Sequence, residues 1–528
     1  MRDVSRRVPA WAGALAGLVS GAVALGISQL VAALVKPSSF PVLAVGDAVV
    51  DASPPAVKDF AIATFGENDK TALVIGVVVV LGLVAAALGV LARHRLWYGQ
   101  AGLAVFAAVG VWAVLTRPDA GPADALPTLV GVAAAMLTLP WLLRRATADK
   151  AVEPAPAPAA DGQPVESPQV RANGLDRRGL LTGVAGGAVV AGVSTVLGRS
   201  LAGQSSVDTA RSRVALPSPA VPAKPLPAGV DLGIRGLSPF ITPNDAFYRV
   251  DTALLLPKID PADWVLRIHG MVDRPIVITY ADLLKRPLTE ATVTLTCVSN
   301  EVGGDLAGNA RWLGVRLADV LREAGLKSGA DMLLSTSDDG WTCGTPVDVV
   351  MDGRDALLAV AMNGAPLPVA HGFPVRQVVP GLYGYVSATK WIVDLKATRF
   401  DQDEAYWTPR GWSAKGPIKT QSRIDLPRSG ATVKPGTVTV AGVAWAQHTG
   451  IDAVEVRVDQ GPWQRAKLAE VPGPDTWRQW SYDWQATPGD HTLQVRATDA
   501  AGRTQTEEQA PPAPDGATGW HTVTVSVA

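Results

Sequence analysis

Uncharged apolar runs crowd the first part of the chain, and short alternating patterns take over after it. Trp11–Val35, Thr71–Ala92, Leu96–Thr116 and Ala125–Leu143 contain no Asp, Glu, Lys or Arg. Each is long enough to cross the ~30 Å hydrocarbon layer of a bilayer, and such a succession is unusual in soluble domains, so the pattern predicts four transmembrane helices. The basic residues orient them. Arg2, Arg6 and Arg7 precede the first run, Arg93 and Arg95 separate the second from the third, and Arg144 and Arg145 follow the fourth. All three clusters fall on one side, which the positive-inside rule makes cytoplasmic. The loop from Lys36 to Lys70 holds Asp47, Asp51, Asp59, Glu67 and Asp69 and suits the outer face.

A linker rich in Ala and Pro, Ala151–Pro168, is expected to be extended. Leu175-Asp176-Arg177-Arg178-Gly179-Leu180-Leu181 then leads into an uncharged small-residue run ending near Leu197. Paired arginines before a weakly hydrophobic stretch resemble an internal twin-arginine export signal, and a fifth helix with positive-inside anchoring is the alternative. Both readings place everything after about Ser200 outside the cytoplasm.

From Pro225 to Leu426 the pattern becomes α+β. Val265–Gly270 reads as a strand, Tyr280–Leu284 as a helical turn, and Leu317–Ala324 as a short helix with Leu317, Val320 and Leu321 on one face. From Arg428 to Ala528 the signals are strands, among them Thr437–Gly442, Val454–Val458, His491–Arg496 and Thr522–Val527, spaced as in an immunoglobulin-like β-sandwich. Most of Trp445, Trp463, Trp477, Trp480, Trp484 and Trp520 are expected to fill its core.

Composition narrows the function. The 528 residues suggest several structural units. A 48% hydrophobic share, only 18% charged residues and 47 basic against 48 acidic side chains argue against overall disorder and against a nucleic-acid binder with a basic surface. Two cysteines, Cys297 and Cys343, exclude a disulfide framework, a four-cysteine zinc site and a four-cysteine iron–sulfur cluster. The hydrophobic segments hold no histidine, so a membrane haem with histidine ligands is not expected, and the uncharged spans count against a proton pump or transporter. A Cys-x-x-Cys-His haem site and a Rossmann glycine fingerprint are also missing, so any redox chemistry in this chain would exchange electrons with a separate carrier, a cytochrome or a quinone-linked partner.

Two segments carry the candidate chemistry. In Val293-Thr294-Leu295-Thr296-Cys297-Val298-Ser299-Asn300-Glu301-Val302-Gly303-Gly304, period-two geometry puts Val293, Leu295 and Cys297 on one strand face just before a turn. A thiol there suits a soft metal or a nucleophile, and equally a structural cysteine. Leu367–Gly384, followed by Ser387 and Lys390, is a Gly/Pro-shaped loop presenting His371, Arg376 and Lys390, a donor set for a phosphate or another anion. Cys343 is expected to be a packed free thiol.

With these segments in hand, the outer half resembles the sulfite oxidase family of molybdenum enzymes. The motifs run in order through Ile241-Thr242-Pro243-Asn244-Asp245-Ala246-Phe247-Tyr248-Arg249, Cys297-Val298-Ser299-Asn300, Trp312-Leu313-Gly314-Val315 and His371-Gly372-Phe373-Pro374-Val375-Arg376. The resemblance implies a molybdopterin domain over residues 201–427 and a dimerisation sandwich over 428–528, behind a transmembrane region at 1–148, a cytoplasmic linker at 149–174 and the signal or fifth helix at 175–200. It implies molybdenum held by a pterin dithiolene, with Cys297 as the protein thiolate. Asn244, Phe247, Tyr248, His371, Arg376, Ser387 and Lys390 would hold the pterin and its phosphate, and Arg249 would be an active-site arginine, one position out of register.

The departures bear on substrate. Animal and plant sulfite oxidases follow the ligand cysteine with Gly-Asn-Arg, whereas this chain has Ser299-Asn300-Glu301; their Arg-Asn-His run is replaced by Arg249-Val250-Asp251-Thr252. Tyr406-Trp407-Thr408-Pro409-Arg410-Gly411-Trp412 offers no tyrosine at the family's spacing. A less cationic pocket binds dianionic sulfite less well, which brings in a sulfoxide reductase as the alternative. The expected protein is a multi-pass, membrane-anchored, extracytoplasmic oxidoreductase transferring an oxygen atom to or from a small molecule at molybdenum, as a homodimer by resemblance. A non-catalytic membrane-tethered binding protein is the competing class.

Overall fold

A computed structural model describes residues 8–54, 57, 64, 69–117, 120–146, 177–203 and 206–528. The expected linker, Arg2, Arg6 and Arg7, and the Leu175-Asp176 start of the arginine motif lie outside them. The chain divides into two units, Met1–Ser205 with Ala253–Leu255, and Ser206–Thr252 with Leu256–Ala528.

In the first unit, α1 spans Ala10–Val35, α2 Pro41–Ala52, α3 Asp69–Ala92, α4 Leu96–Leu115, α5 Leu126–Arg145 and α6 Arg177–Gly203. Among the described residues, five helices are long and apolar enough to cross a membrane: the four expected from the uncharged runs and the one that begins at the arginine pair. The short helix α2 falls inside the acidic loop, where no apolar run of spanning length signalled it. Small residues set the packing of α1 on α3: a Cβ on Gly17 would stand 2.0 Å from the Ala85 carbonyl oxygen and one on Gly89 2.1 Å from that of Gly13. Glycine there lets the two backbones approach closely.

In the second unit, α7 (Ser206–Ser212) leads into two sheets that form the α+β part. The first is built from β1 (Val265–Gly270), β2 (Ile276–Thr279), β5 (Met332–Ser337), β6 (Thr342–Pro346) and β10 (Ile392–Thr398), in the order β2-β1-β10-β5-β6. The second is built from β3 (Thr289–Thr296), β4 (Ala307–Arg316), β7 (Leu357–Met362) and β8 (Ala365–Pro366), in the order β3-β4-β7-β8, with β9 (Arg376–Val378) also paired to β7. The short helices α8 (Tyr280–Leu284), α9 (Leu317–Ala324) and α10 (Val347–Met351) lie among these strands in the chain. Every residue of β7 is buried, which explains why Leu357-Leu358-Ala359-Val360-Ala361-Met362 runs apolar without alternation. Leu317, Val320, Leu321 and Ala324 form the buried face of α9, which Gly325 ends at φ 70°, a conformation that favours glycine.

The C-terminal part is a two-sheet sandwich. Its first sheet has β11 (Gln421–Leu426), β13 (Gly436–Trp445), β16 (Lys467–Leu468) and β17 (Arg478–Ala486), ordered β11-β13-β17-β16. Its second has β12 (Ala431–Val433), β14 (Ile451–Val458), β15 (Gln464–Arg465), β18 (Gly489–Asp499) and β19 (His521–Val527), ordered β12-β19-β18-β14-β15. The sandwich takes in Gln421–Leu426, ahead of the start at Arg428 that the strand pattern suggested, because β11 pairs with β13 along its length. Of the tryptophans expected in the sandwich core, only Trp480 and Trp484 lie there, because Trp445 and Trp477 are buried in a separate cluster with Phe240 and Ala307. Trp463 and Trp520 instead meet edge to face at 4.8 Å on the outside of the sandwich, with Arg457 and Arg496 against their rings.

Leu321 is fully buried, and truncating it removes packing that the rigid sheets cannot refill. Leu321→Ala is expected to cost about 2–5 kcal/mol, and Val277→Ala, at an exposed position, less than about 0.5 kcal/mol. Thermal unfolding of the full chain checks both.

Candidate active site

Cys297 is delivered by β3. Along that strand Val293 and Leu295 point into the core at 0% and 2% exposure, and Cys297 follows at 8%. The chain turns at once: Asn300 N–H donates to the Cys297 carbonyl at 3.1 Å, and Gly304 N–H to that of Glu301 at 2.9 Å. Cys297 N–H donates to the Leu306 carbonyl at 2.9 Å, while the Asn300 side-chain oxygen accepts from Leu306 N–H at 2.8 Å. This closes a loop around the thiol, and Gly303 at φ 79° allows its tight return. Burial pushes the Cys297 thiol up, while hydrogen bonds from Ser299 and the charge of Lys390 act in the opposite direction. Both cysteines are free; Cys343 is fully buried, with its sulfur 3.7 Å from the Thr345 hydroxyl.

The His371 loop builds the cationic side. Gly372 takes φ 104°, and a Cβ there would stand 3.0 Å from the Arg376 Cβ and 3.1 Å from the Lys390 Cα, so the loop closes tightly onto both cations. Arg376 is 4% exposed. Its guanidinium donates to the carbonyls of His371 at 3.2 Å and Ala388 at 3.4 Å and stacks on Trp312 at 5.0 Å. Burial lowers it to about 10. Lys390 ion-pairs with Asp251 at 3.0 Å, and burial lowers it to about 8. Arg249 reaches the same carboxylate at 2.9 Å with a side chain 43% exposed, so the structure ties it to the shell through Asp251.

The aromatic side is Phe247, stacked on Tyr248 with ring centroids 5.2 Å apart and edge-on to His371 at 5.6 Å and Trp312 at 5.8 Å. Burial pushes the Tyr248 phenol up, reinforced by Cys297 and opposed by Arg376. Asn244 is fixed by Asn363, whose side-chain N–H donates to the Asn244 side-chain oxygen at 2.8 Å. His371 Nε2–H donates to the Asn244 carbonyl at 3.1 Å. Ser387 spends its hydroxyl on the carbonyls of Leu382 and Tyr383, holding the loop's own turn.

The structure therefore brings Asn244, Phe247, Tyr248, His371, Arg376 and Lys390 into one shell, electrostatically coupled to Cys297 through Tyr248 and Lys390. Sequence reasoning missed Asp251, Asn363 and the contact role of Trp312. Asp251 pairs with a lysine 139 positions away, and Arg249-Val250-Asp251 offered only an i,i+2 charge alternation as a signal.

The donor set fits an anionic pterin cofactor. His371 Nδ1 is buried without a hydrogen-bond partner. Arg249 and Lys390 both pair with Asp251, while the buried Arg376 guanidinium is held by the His371 and Ala388 carbonyls. A buried guanidinium satisfied by carbonyls and an aromatic face suits an anion, and the soft thiol beside it suits a redox metal.

Residues 253–407 match the oxidoreductase molybdopterin binding domain, and residues 421–495 match the bacterial Ig domain. The chain is 32% identical over 321 residues to mitochondrial sulfite oxidase of Homo sapiens, covering 52% of this chain and 58% of that one. It is 34% identical over 157 residues to the uncharacterized oxidoreductase YuiH of Bacillus subtilis, covering 30% of this chain and 76% of that one. Among solved structures, the sulfane dehydrogenase SoxCD from Paracoccus pantotrophus aligns at 27% identity with a TM-score of 0.48, over 54% of this chain and 81% of that one. The chain thus spans less than two thirds of the length of the animal sulfite oxidases it matches. Motifs, donor set and relatives converge: this chain belongs to the sulfite oxidase family of molybdopterin oxidoreductases.

Proposed function

We propose that the protein is a membrane-anchored, extracytoplasmic molybdopterin oxidoreductase that moves an oxygen atom to or from a small molecule and exchanges the two electrons with a separate carrier. The observation that carries the reading is the buried Cys297 thiol in one site with the buried Arg376 and the largely buried Lys390, which pairs with Asp251. Cys297 would bind the metal, and Asn244, Phe247, Tyr248, His371, Arg376, Ser387 and Lys390 would hold the pterin and its phosphate. When bound, molybdenum supplies a two-electron redox centre for oxygen-atom transfer.

The chain's own residues define what that centre meets. Arg376 and Lys390 neutralise an anionic cofactor in a site that excludes water, where a fixed charge counts for more than in solvent. Tyr248 stays a neutral phenol there and can donate a hydrogen bond without adding negative charge. His371, held near 4, is neutral in the cofactor-free shell; an anion against its Nδ1 would favour the imidazolium. Five apolar helices and the arginines at Arg93, Arg95, Arg144 and Arg145 support a tether with those arginines cytoplasmic.

Glu301 favours a neutral substrate such as a sulfoxide over sulfite. Its side chain is exposed on the turn after Cys297, where it adds an acid instead of the family's arginine. A dianion approaching that turn meets repulsion.

Three outcomes are expected. Full-length protein from a host that makes the cofactor carries near-stoichiometric molybdenum and pterin, and Arg376→Met loses most of the pterin; folded protein with neither metal nor pterin would leave a tethered binding protein instead. Glu301→Arg raises kcat/KM for sulfite about tenfold and leaves a neutral sulfoxide unaffected, as steady-state assays with an artificial electron carrier would read. The pH dependence follows from His371 and His521, both lowered by burial from 6.5 to about 4. The unfolded chain binds protons more readily than the folded one, so stability is fully present above pH 6.5 and is lost as pH falls toward 4. In cofactor-free protein, His371→Asn makes the decline of Tm across that window shallower.

A further inference from the structure

The strand that presents Cys297 is an edge strand, paired on one side to β4. Its other side is met by the sandwich. Thr294 N–H donates to the Asp475 carbonyl at 2.9 Å, and Trp477 N–H donates to the Thr294 hydroxyl at 2.7 Å. Gln447, 4% exposed, donates from one side-chain nitrogen to the Thr294 carbonyl at 3.0 Å and to the Thr296 hydroxyl at 2.9 Å. These bonds end on the residue just before the thiol.

A second grip falls on the turn just after it. Arg423, on β11, is neutralised by Asp425 at 2.6 Å and uses a remaining N–H on the Gly304 carbonyl at 2.7 Å. The His521 ring, whose Nδ1 accepts from Ile424 N–H at 2.9 Å, fills the space beside Gly303. A Cβ on Gly303 would stand 2.1 Å from the His521 Cδ2. The sandwich thus holds Thr294 and Thr296 on one side of Cys297, and Gly303 and Gly304 on the other.

We infer that the C-terminal sandwich sets the position of the Cys297 sulfur, with Gln447 and Arg423 as positioning residues for the proposed metal thiolate. The inference rests on reading Cys297 as the metal ligand. An exposed edge strand frays and slides more easily than a paired one, and a metal thiolate displaced by a fraction of an ångström changes the electronic structure of its metal. Bonds to both flanks limit both freedoms. The Gln447 side-chain oxygen has no hydrogen-bond partner, so replacement by leucine removes the two donated bonds and little else.

The test uses the full chain with Gln447→Leu, and with Gly303→Ala as a second variant that pushes on the same turn from the His521 side. In cofactor-free protein, amide hydrogen exchange over residues 294–304 is expected to rise about tenfold, while β18 and β19 keep their protection. In loaded protein, molybdenum content stays at the parent level, the Mo(V) paramagnetic resonance spectrum shifts, and kcat falls about tenfold with KM unchanged. Unchanged exchange at 294–304 in both variants would overturn the inference, as would faster exchange accompanied by a parental Mo(V) spectrum, which would make the contacts merely structural. A parent chain without molybdenum would instead remove the functional reading, and the exchange measurement would still decide whether the sandwich braces this segment.

Discussion

Buried positive charge is the constraint around which the site in the second unit is organised. Removing a guanidinium and an ammonium from water costs several kcal/mol each unless partners replace the lost solvent. Arg376 receives carbonyls and the face of Trp312, and Lys390 receives Asp251 and the Ala370 carbonyl. Those partners come from four separate stretches of chain, so the loop, β4 and the Asn244–Asp251 segment must fold around the charges together. What these partners leave over is a positive potential facing a buried thiol. The fold bears that cost in order to accept an anion.

The thiol side obeys the complementary demand of fixed geometry. An edge strand alone would not hold a side chain to within a fraction of an ångström, and here it is gripped before and after the cysteine by residues far along the chain. The sandwich and the α+β part accordingly fall in one compact unit. The N-terminal helices form a different kind of structure, in which small residues such as Gly13, Gly17 and Gly89 let the helix backbones approach closely.

Much of this was legible in the sequence, for physical reasons. Uncharged runs of about twenty residues announced apolar helices because nothing in them interrupts an apolar surface. The alternation through Val293, Leu295 and Cys297 revealed the strand face because side-chain direction in a strand has period two. His371, Arg376 and Lys390 were readable as one cluster because they fall in one Gly/Pro-shaped loop, and the structure brings them together. The rest depends on distance in the chain. Asp251 and Lys390, Gln447 and Thr296, or Arg423 and Gly304 meet across many positions, and no local pattern encodes such pairs. Arg249 read as an active-site arginine, whereas its structural tie is to Asp251. The helix α2 and the early start of the sandwich at Gln421 were hidden because neither carries a strong period of its own.

The most direct test of the central claim, that Cys297 supplies a thiolate to molybdenum, is X-ray absorption at the molybdenum edge of loaded full-length protein beside Cys297→Ser. The account predicts one sulfur neighbour fewer in the variant and an oxygen in its place. An identical sulfur count in both proteins would contradict it.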